Sequence, residues 1–254
     1  MDMALQDKIT RCWEERAAVY DNQYGHGLKS EEEKTAWQET LKESVGAGPL
    51  RILDVGTGTG FLALILAELG HRCSGVDLSQ EMLKQAQKKA RQAGFKIDFR
   101  VGDAENLPFK DSSFDVVINR HLLWTLPRPE AALREWVRAL KPGGRLIIID
   151  GRWAAPDIST KVKRLVGNCL IALAERRNPW KCMGHYGKEI QKQLPFMGGA
   201  GPDKIAPLLE AAGLTDVSIQ PLTRVMEAQK AAMPLRYRLV YAHRRYLAAG
   251  RKPE

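Results

Sequence analysis

The chain comprises 254 residues, of which 44% are apolar and 27% are charged, and its formal net charge is +9. This length is enough for one sizeable α/β core with an appended cap, or for two small domains at most. No apolar stretch is long enough to cross a bilayer, and the charged, amphipathic amino terminus lacks the apolar core of a signal peptide. The composition therefore predicts a cytoplasmic protein without a membrane partner.

Cysteine spacing and charge distribution weigh against two further classes of site. The positive charge is dispersed along the chain, which indicates a solvated surface and no nucleic-acid partner, while attraction to an anionic small substrate stays open. The cysteines form no C-x-x-C pair and have no histidine at ligand spacing, so we expect reduced thiols and no metal centre. They are Cys12, Cys73, Cys169 and Cys182.

Residues 1–45 are predicted to form an N-terminal helical lid. Aromatic and small apolar residues recur at three- and four-residue spacing in its first part, and a second helix is expected over Glu31–Ser44. This segment precedes the core of the protein.

Residues 46–150 alternate strand-like and helical segments. The alternation predicts a parallel sheet with helices on both faces. We expect Ser79 to cap the helix that follows it and Gly143-Gly144 to end the last helix of this region. The predicted strands are Arg51–Val55, Arg72–Asp77, Ile97–Val101, Phe114–Asn119 and Arg145–Asp150. The predicted helices are Phe61–Leu69, Gln80–Ala93 and Pro129–Leu140.

The alternation lapses in residues 151–201, which we predict to be a cap insertion that covers a site. The insertion contains a helical run over Thr160–Arg177 and then a stretch punctuated by Pro and Gly. Residues 202–254 resume the core pattern with a helix over Ile205–Leu214 and a strand over Asp216–Leu222. An apolar and basic segment, Arg236–His243, is expected to complete the sheet.

A glycine-rich turn follows the first predicted strand. In RILDVGTGTG, Gly56, Gly58 and Gly60 let the chain turn tightly and let a ligand approach the backbone, where a Cβ would obstruct it. About twenty residues later Asp77 ends the second strand, where a carboxylate can accept hydrogen bonds from both hydroxyls of a ribose. These features predict a nucleoside-binding turn. The spacing differs from the G-x-G-x-x-G of dinucleotide-binding turns, which weighs against a nicotinamide dehydrogenase.

The same features resemble the class I S-adenosylmethionine-dependent methyltransferases. The first motif of that family, an acidic residue followed by V-G-x-G-x-G, matches Asp54–Gly60. The resemblance runs from Arg51 to Asp150 through Asp77 and the motifs GDAENLPF, FDVVINRHLLWTL and LKPGGRLIIID. It implies a doubly wound, Rossmann-like α/β fold with a seven-stranded, mostly parallel sheet, the N-terminal lid and a cap after the fifth strand.

The resemblance also implies a site for S-adenosylmethionine, with S-adenosylhomocysteine as the product. The glycine turn would line the methionine and ribose side, and Asp77 would take the ribose hydroxyls. Asp103 and the Ala104 backbone would hold the adenine edge, and Asn119 would contact the ammonium group. Alternatives stay open: Asp77 as a capping carboxylate, Asp103 as an ordinary turn residue. The implied cofactor-binding residues are Asp54, Gly56, Thr57, Gly58, Gly60, Asp77, Leu78, Met82, Asp103, Ala104 and Asn119.

Residues outside these motifs are candidates for the acceptor side. His121 follows the fourth strand and is a candidate base, because its ordinary pKa near 6.5 lets it take a proton near neutral pH; a structural histidine is the alternative. Tyr20 is the second catalytic candidate, since AAVYDNQYGH resembles the segment that many small-molecule methyltransferases fold over the cofactor. Helix packing is its alternative role. The candidate acceptor residues are Tyr24, His26, Trp124, Trp153, His185 and Tyr186.

The predicted activity is enzymatic transfer of a methyl group from S-adenosylmethionine to a heteroatom (O, N or S) of a small molecule. Three alternatives stay open. One is C-methylation of a quinone-like ring, which GDAENLPFKDSSFDVV also resembles. The others are methylation of RNA or protein, and a non-catalytic module that binds S-adenosylmethionine. We expect a monomer or a homodimer.

Overall fold

The computed structural model describes residues 3–153, 157–176, 178–179, 186–241 and 244–254. The amino-terminal part begins with α1 (Met3–Glu14), continues through a 3-10 turn at Tyr20–Asn22 and ends with α2 (Glu31–Val45). Asp21 ties the 3-10 turn to the core, because its carboxylate accepts hydrogen bonds from the Thr59 hydroxyl and the Lys89 ammonium, each at 2.6 Å. Helices occupy this segment as the spacing predicted.

Seven strands of the described chain form one sheet in the order β3-β2-β1-β4-β5-β7-β6. The pairs that join β3, β2, β1, β4 and β5 are parallel, and β7 runs antiparallel to its neighbours β5 and β6. The predicted doubly wound, mostly parallel, Rossmann-like sheet is therefore confirmed. The strands are β1 (Arg51–Val55), β2 (Arg72–Asp77), β3 (Asp98–Val101), β4 (Phe114–Arg120), β5 (Leu140–Gly151), β6 (Thr215–Pro221) and β7 (Arg245–Arg251).

Helices connect these strands. Ser79 caps α4 as predicted, since its Oγ accepts a hydrogen bond from the Met82 amide at 3.2 Å. No helix within the described ranges is both long and apolar enough to span a membrane. The helices are α3 (Phe61–Glu68), α4 (Gln80–Gln92), α5 (Pro129–Ala139), α6 (Ile158–Glu175), α7 (Lys188–Gln191), α8 (Pro202–Ala211), α9 (Thr223–Ala232) and α10 (Leu235–Val240).

The central strands are buried on both faces. In β1, Leu53 belongs to the apolar core that contains Trp136 of α5, whereas Ile52 belongs to the core that contains Trp37 of α2. All four side chains are fully buried. Strands buried on both faces need near-continuous apolar runs, as in RILDV, so polar residues concentrate at the strand ends.

The last strand of the sheet lies later in the chain than the sequence indicated. The prediction of a strand over Arg236–His243 is wrong, because α10 occupies most of this segment and β7 completes the sheet. Tyr246 and Leu247 at the start of β7 are buried on opposite faces of the sheet, as a strand between two others requires. α10 instead packs on α6, where a Cβ on Gly167 would lie 2.7 Å from the Arg236 carbonyl oxygen.

Two helix boundaries also differ from the prediction. α5 ends at Ala139 and not at Gly143-Gly144, because Leu140 already pairs with Phe114 at the start of β5. α6 begins at Ile158, where the carboxylate of Asp157 accepts a hydrogen bond from the Thr160 amide at 2.7 Å and caps the helix.

Candidate functional site

The glycine turn lies at the carboxyl edge of the sheet, between β1 and α3. The strand order reverses where β1 lies between β2 and β4, and crevices at such points bind ligands in open α/β sheets. Gly56 and Gly58 have φ values of +65° and +54°, in the left-handed region. A Cβ on Gly56 would lie 2.6 Å from the Leu122 side chain, whereas a Cβ on Gly58 would meet open space. The turn therefore presents bare backbone to a ligand at Gly58.

Asp77 ends β2 beside this turn. Its Oδ2 accepts a hydrogen bond from the Gly58 amide at 2.8 Å, and its Oδ1 accepts one from the Ser79 amide at 2.9 Å. Burial raises the pKa of Asp77, while these two amides oppose that shift by stabilising the carboxylate. Each carboxylate oxygen keeps a further lone pair, so Asp77 both shapes the turn and offers acceptors to a ligand.

A first cavity of about 90 Å³ lies over the glycine turn. Ile9 and Trp13 of α1 and Tyr20 of the 3-10 turn line it, and no motif in the sequence predicts this position for the two α1 residues. Of the residues predicted to touch the cofactor, those that line this cavity are Gly56, Gly58, Asp77, Leu78, Met82, Asp103 and Ala104.

Asp54, Thr57 and Gly60 do not line the first cavity. Asp54 is buried, and its carboxylate accepts hydrogen bonds from the Thr57 hydroxyl at 2.7 Å and the Ala63 amide at 3.2 Å. Burial raises the pKa of Asp54 to about 7. Gly60 precedes α3 with a φ of +81°. These residues hold the shape of the turn from behind.

Asp103 connects α1 to the wall of the first cavity. Its carboxylate accepts hydrogen bonds from the Gln6 side-chain amide at 3.1 Å and from the Glu105 amide at 2.9 Å. The neighbouring Ala104 carbonyl accepts one from the Trp136 indole at 3.0 Å. The amino-terminal helix is thus tied to the wall that the sequence assigned to the adenine.

Arg120, the last residue of β4, binds the loop that follows the 3-10 turn. Arg120 donates hydrogen bonds to the carbonyl oxygens of Gly25 and His26 at 2.9 and 3.0 Å, and its guanidinium lies 3.8 Å from the centre of the Phe61 ring. Loss of hydration lowers the pKa of Arg120. The preceding Asn119 is fully buried, does not line the first cavity, and its side-chain amide has no hydrogen-bond partner among the residues described.

His121 has a left-handed backbone with a φ of +57°, which is uncommon outside glycine. Its backbone N–H donates a hydrogen bond to the Ile149 carbonyl at 2.8 Å and so fixes the turn after β4. The centroid of its ring lies 4.8 Å from that of Trp153 and 6.0 Å from that of His26. An uncommon backbone at the end of a strand indicates a side-chain position that the surroundings determine, as is frequent at functional sites.

A second cavity of about 480 Å³ lies beside the first. Trp13, Tyr20 and His121 line both cavities, so the two meet at these side chains. The sequence-predicted residues that line the second cavity are Tyr20, Tyr24, His26, His121, Trp124 and Trp153.

The remaining acceptor candidates lie elsewhere. Tyr186 is buried and does not line the second cavity; its hydroxyl accepts a hydrogen bond from the Trp13 indole at 2.8 Å. His185 lies outside the described residues. Tyr20 does line the cavity, and desolvation raises its pKa to about 12, so its hydroxyl keeps its proton at neutral pH.

Arg245 is a residue of the second cavity that sequence reasoning missed. It begins β7, is only 5% exposed and lines the cavity. Its Nη2 donates a hydrogen bond to the Gln229 side chain, which in turn donates one to the Glu33 carboxylate at 2.6 Å. Burial lowers the pKa of Arg245 to about 10. The available signal was a basic residue at the start of the otherwise apolar run RYLAA.

Comparison with known proteins identifies the family to which the chain belongs. The family model described as a methyltransferase domain matches residues 53–148. The demethylmenaquinone methyltransferase of Renibacterium salmoninarum is 34% identical over 220 residues, which cover 85% of this chain and 87% of that protein. The biotin biosynthesis bifunctional protein BioHC of Cellvibrio japonicus is 34% identical over 264 residues, which cover 92% of this chain and 49% of that protein. The chain thus spans about half the length of this second curated relative.

A solved structure agrees with this assignment at the level of the fold. It is that of Haemonchus contortus phosphoethanolamine N-methyltransferase 2 in complex with phosphomonomethylethanolamine and S-adenosylhomocysteine. It is 19% identical, has a TM-score of 0.66, and its match covers 98% of this chain and 60% of that chain. The glycine turn, the sheet order and these relatives together show that the chain belongs to the class I methyltransferases, which use S-adenosylmethionine.

Proposed function

We propose that this chain transfers the methyl group of S-adenosylmethionine to a heteroatom of a small molecule held in the second cavity. The observation that carries the proposal is that Trp13, Tyr20 and His121 line both cavities. A donor in the first cavity and an acceptor in the second would therefore meet at these side chains. Such a transfer is an in-line displacement, which needs orientation and exclusion of water more than it needs many catalytic groups.

The residues of the first cavity fit the cofactor. Gly58 leaves open space where a Cβ would stand, Asp77 offers carboxylate oxygens to ribose hydroxyls, and Asp103 lies at the wall proposed for the adenine edge. Leu78 and Met82, the two larger apolar residues of the implied cofactor set, also line this cavity and would pack on the adenine ring. When bound, S-adenosylmethionine supplies an electrophilic methyl group on a sulfonium.

We assign His121 the role of base for acceptors that arrive protonated. It lines the second cavity beside His26 and Trp153, and the ordinary pKa of histidine suits proton uptake near neutral pH. The raised pKa of Tyr20 makes its hydroxyl a hydrogen-bond donor and not a base. Arg245, whose Nε has no hydrogen-bond partner among the described residues, would donate to an oxygen atom of the acceptor.

C-methylation of a quinone-like ring is the second candidate. It is favoured by the similarity to a demethylmenaquinone methyltransferase over most of this chain. The aromatic side chains of Tyr24, Trp124 and Trp153 would stack on a planar ring, and Arg245 would bind a ring oxygen.

Release of S-adenosylhomocysteine tests both candidates. The assay uses separate pools of small thiols, amines, phenols, carboxylates and hydroquinones, and calorimetry measures cofactor binding in parallel. Turnover that attaches the methyl group to a heteroatom supports the main proposal, whereas a product methylated on a ring carbon supports the second. Cofactor binding without turnover in any pool contradicts both and favours a macromolecular acceptor or a non-catalytic module.

A further inference from the structure

Helix α6 has two different faces, and the chain covers one of them. Gly167, Asn168 and Ile171 are buried. Gly167 allows the helix to approach α10 closely, since a Cβ there would lie 2.7 Å from the Arg236 carbonyl oxygen and 2.8 Å from the Val240 side chain. This face explains how α6 is attached to the rest of the protein.

The opposite face of α6 is apolar and exposed. Ile158 and Leu173 expose 78% of their surface, Leu165 exposes 56% and Val162 exposes 53%. Spacings of three, four, seven and eight residues place these side chains on one stripe along about four turns of helix. Monomeric proteins rarely leave a contiguous apolar patch of this kind open to water unless it binds a partner. The stripe is completed by Val166, Cys169 and Leu170, which are also exposed.

Lysine side chains flank this stripe on both edges. At about 100° of rotation per residue, Lys161 lies on one side of the stripe and Lys163 on the other. Neither lysine forms an ion pair with any residue that the structure describes. The single acidic residue of α6 is Glu175, whose carboxylate pairs with Arg236 at 3.0 Å. The exposed face is therefore apolar along its centre and cationic at its edges, and the exposed carboxylate of Asp157 beside its first turn is engaged in capping the helix.

We propose that this face of α6 lies in the surface of an anionic lipid bilayer. The apolar stripe would enter the boundary between headgroups and acyl chains, and Lys161 and Lys163 would reach lipid phosphates on either side. A second copy of this chain is a poorer partner, because pairing two such faces would bring lysines together without a carboxylate to receive them. The absence of a bilayer-spanning segment predicts no membrane partner, but a helix that lies in the interface does not need to span the bilayer.

Helix α6 is joined to the second cavity by direct contacts. The Tyr237 hydroxyl on α10 donates a hydrogen bond to the Glu175 carboxylate at 2.8 Å, and the Tyr237 ring lies 4.7 Å from that of Tyr24. Tyr24 and Tyr241 both line the second cavity. Docking of α6 would therefore hold this cavity close to the lipid surface. Lipid binding itself goes beyond the proposed methyl transfer and does not depend on which acceptor is used.

Vesicle sedimentation of the full chain tests the proposal. Vesicles of phosphatidylcholine alone are compared with vesicles that also contain phosphatidylglycerol, at low and high salt. We expect binding to the anionic vesicles that weakens as salt screens the lysines. Leu165→Glu should weaken binding at least about tenfold, because it puts a charge in the middle of the stripe. Replacing Lys161 and Lys163 together by glutamine should weaken it about 25-fold, at about fivefold for each lysine.

Matched controls separate docking from general changes in charge and stability. Val101→Glu places the same new charge at a side chain with the same 56% exposure as Leu165, but on β3, and should bind vesicles like the wild type. Lys88→Gln combined with Lys110→Gln removes two exposed lysines outside α6 and should have little effect. Circular dichroism and calorimetric binding of S-adenosylmethionine check that each variant folds.

Three results would overturn the proposal. The first is failure of the wild type to bind anionic vesicles, and the second is equal binding by Leu165→Glu and the wild type. The third is a dimer, seen by light scattering without lipid and abolished by Leu165→Glu, which would assign the face to a second copy of the chain. Since vesicle binding is measured without acceptor, its failure leaves the proposed methyl transfer intact, and absence of turnover leaves docking intact.

Discussion

The two cavities are built in different ways. The first is formed largely at the carboxyl ends of adjacent strands, where Gly58 and Asp77 are fixed by hydrogen bonds of the sheet edge. The second is formed by side chains from distant parts of the chain, including Tyr24, Trp153 and Arg245. The comparison indicates that the first cavity depends on local geometry at the sheet edge, whereas the second depends on the packing of distant segments. The predictions for His121, Gly56 and Tyr20 test whether the two cavities can be perturbed separately, and the prediction for Asp150 tests the stability of the sheet beneath them.

The largest expected effect follows from removing the proposed base without disturbing the turn that carries it. Asparagine tolerates a left-handed backbone, so His121→Asn should keep the turn after β4 while losing proton uptake. We expect kcat to fall by about 10² to 10⁴. The affinity for S-adenosylmethionine, measured by calorimetry, should stay within about twofold of the wild type because Gly56, Gly58 and Asp77 are unchanged.

His71→Asn provides the matched control, because His71 precedes β2 and lines neither cavity. It should leave kcat unchanged. A parallel loss of cofactor affinity in His121→Asn would show that the two cavities do not act separately.

The second effect concerns the first cavity alone. Gly56→Ala puts a side chain on a backbone with a φ of +65° and a Cβ 2.6 Å from Leu122, so the turn must shift. We expect about 100-fold weaker calorimetric binding of S-adenosylmethionine, or roughly 2.7 kcal/mol. Gly70→Ala is the control, since Gly70 has a φ of +91° but open space around it. It should lower stability without changing cofactor affinity, and unchanged affinity in Gly56→Ala would contradict the assignment.

The third effect concerns a buried carboxylate in the sheet that supports the first cavity. Asp150 ends β5; its Oδ1 accepts a hydrogen bond from the Gly151 amide, and its Oδ2 has no hydrogen-bond partner in the described chain. Burial raises the pKa of Asp150 to about 7. Between about pH 4 and pH 7 the native state therefore keeps a proton that the unfolded chain has released. The contribution of Asp150 to the free energy of unfolding falls over this range and is constant above about pH 7. Asp150→Asn should abolish this decline and add about 2 kcal/mol at pH 8 in urea unfolding.

Asp115 provides a control of opposite sign. Burial alone would raise its pKa, but hydrogen bonds from the Lys141 ammonium and the Arg51 amide lower it. Its contribution to stability is therefore present at neutral pH and is lost as the pH falls through the lowered pKa. Asp115→Asn should lower the free energy of unfolding at pH 8, and the same direction of change in both variants would contradict the account of Asp150.

The smallest expected effect lies where the cavities meet. Because the pKa of Tyr20 is raised to about 12, its hydroxyl acts as a donor near neutral pH. Tyr20→Phe removes about one hydrogen bond, so kcat/KM should fall about fivefold while its pH dependence stays that of the wild type. Tyr186→Phe, which alters a buried hydroxyl outside the second cavity, should leave kcat/KM unchanged. A change in the pH profile of Tyr20→Phe would show that Tyr20 exchanges a proton during the reaction.

The lining residues of the first cavity could be predicted from the sequence better than those of the second, because they lie in short local motifs. A turn that needs a positive φ requires glycine at Gly56 and Gly58, and a carboxylate at the end of a strand marks Asp77. The same local reading placed Asp54 and Thr57 against the cofactor, although they lie behind the turn. Their burial depends on how α3 packs, which the motif does not encode.

The lining residues of the second cavity were harder to predict, because they come from segments that are distant in the chain. Arg245 is held through Gln229 to Glu33, which no spacing in the sequence connects. Arg236–His243 and β7 both mix apolar and basic residues, so composition does not show which of them forms the last strand. The close contact of α10 with Gly167 of α6 favours a helix in the first of these segments. Long-range packing of this kind overrides local preference.

The bonds between Arg120 and the loop at Gly25 and His26 bear on the timing of the catalytic cycle. They hold the loop at Gly25 and His26, which lines the second cavity beside the first cavity that Ile9 and Trp13 line. On the proposed function, we expect release of S-adenosylhomocysteine to need a movement of this segment that breaks both bonds to a poorly hydrated cation. We therefore expect product release, and not methyl transfer, to set the steady-state rate. The first turnover of a cofactor-loaded enzyme would then appear as a burst.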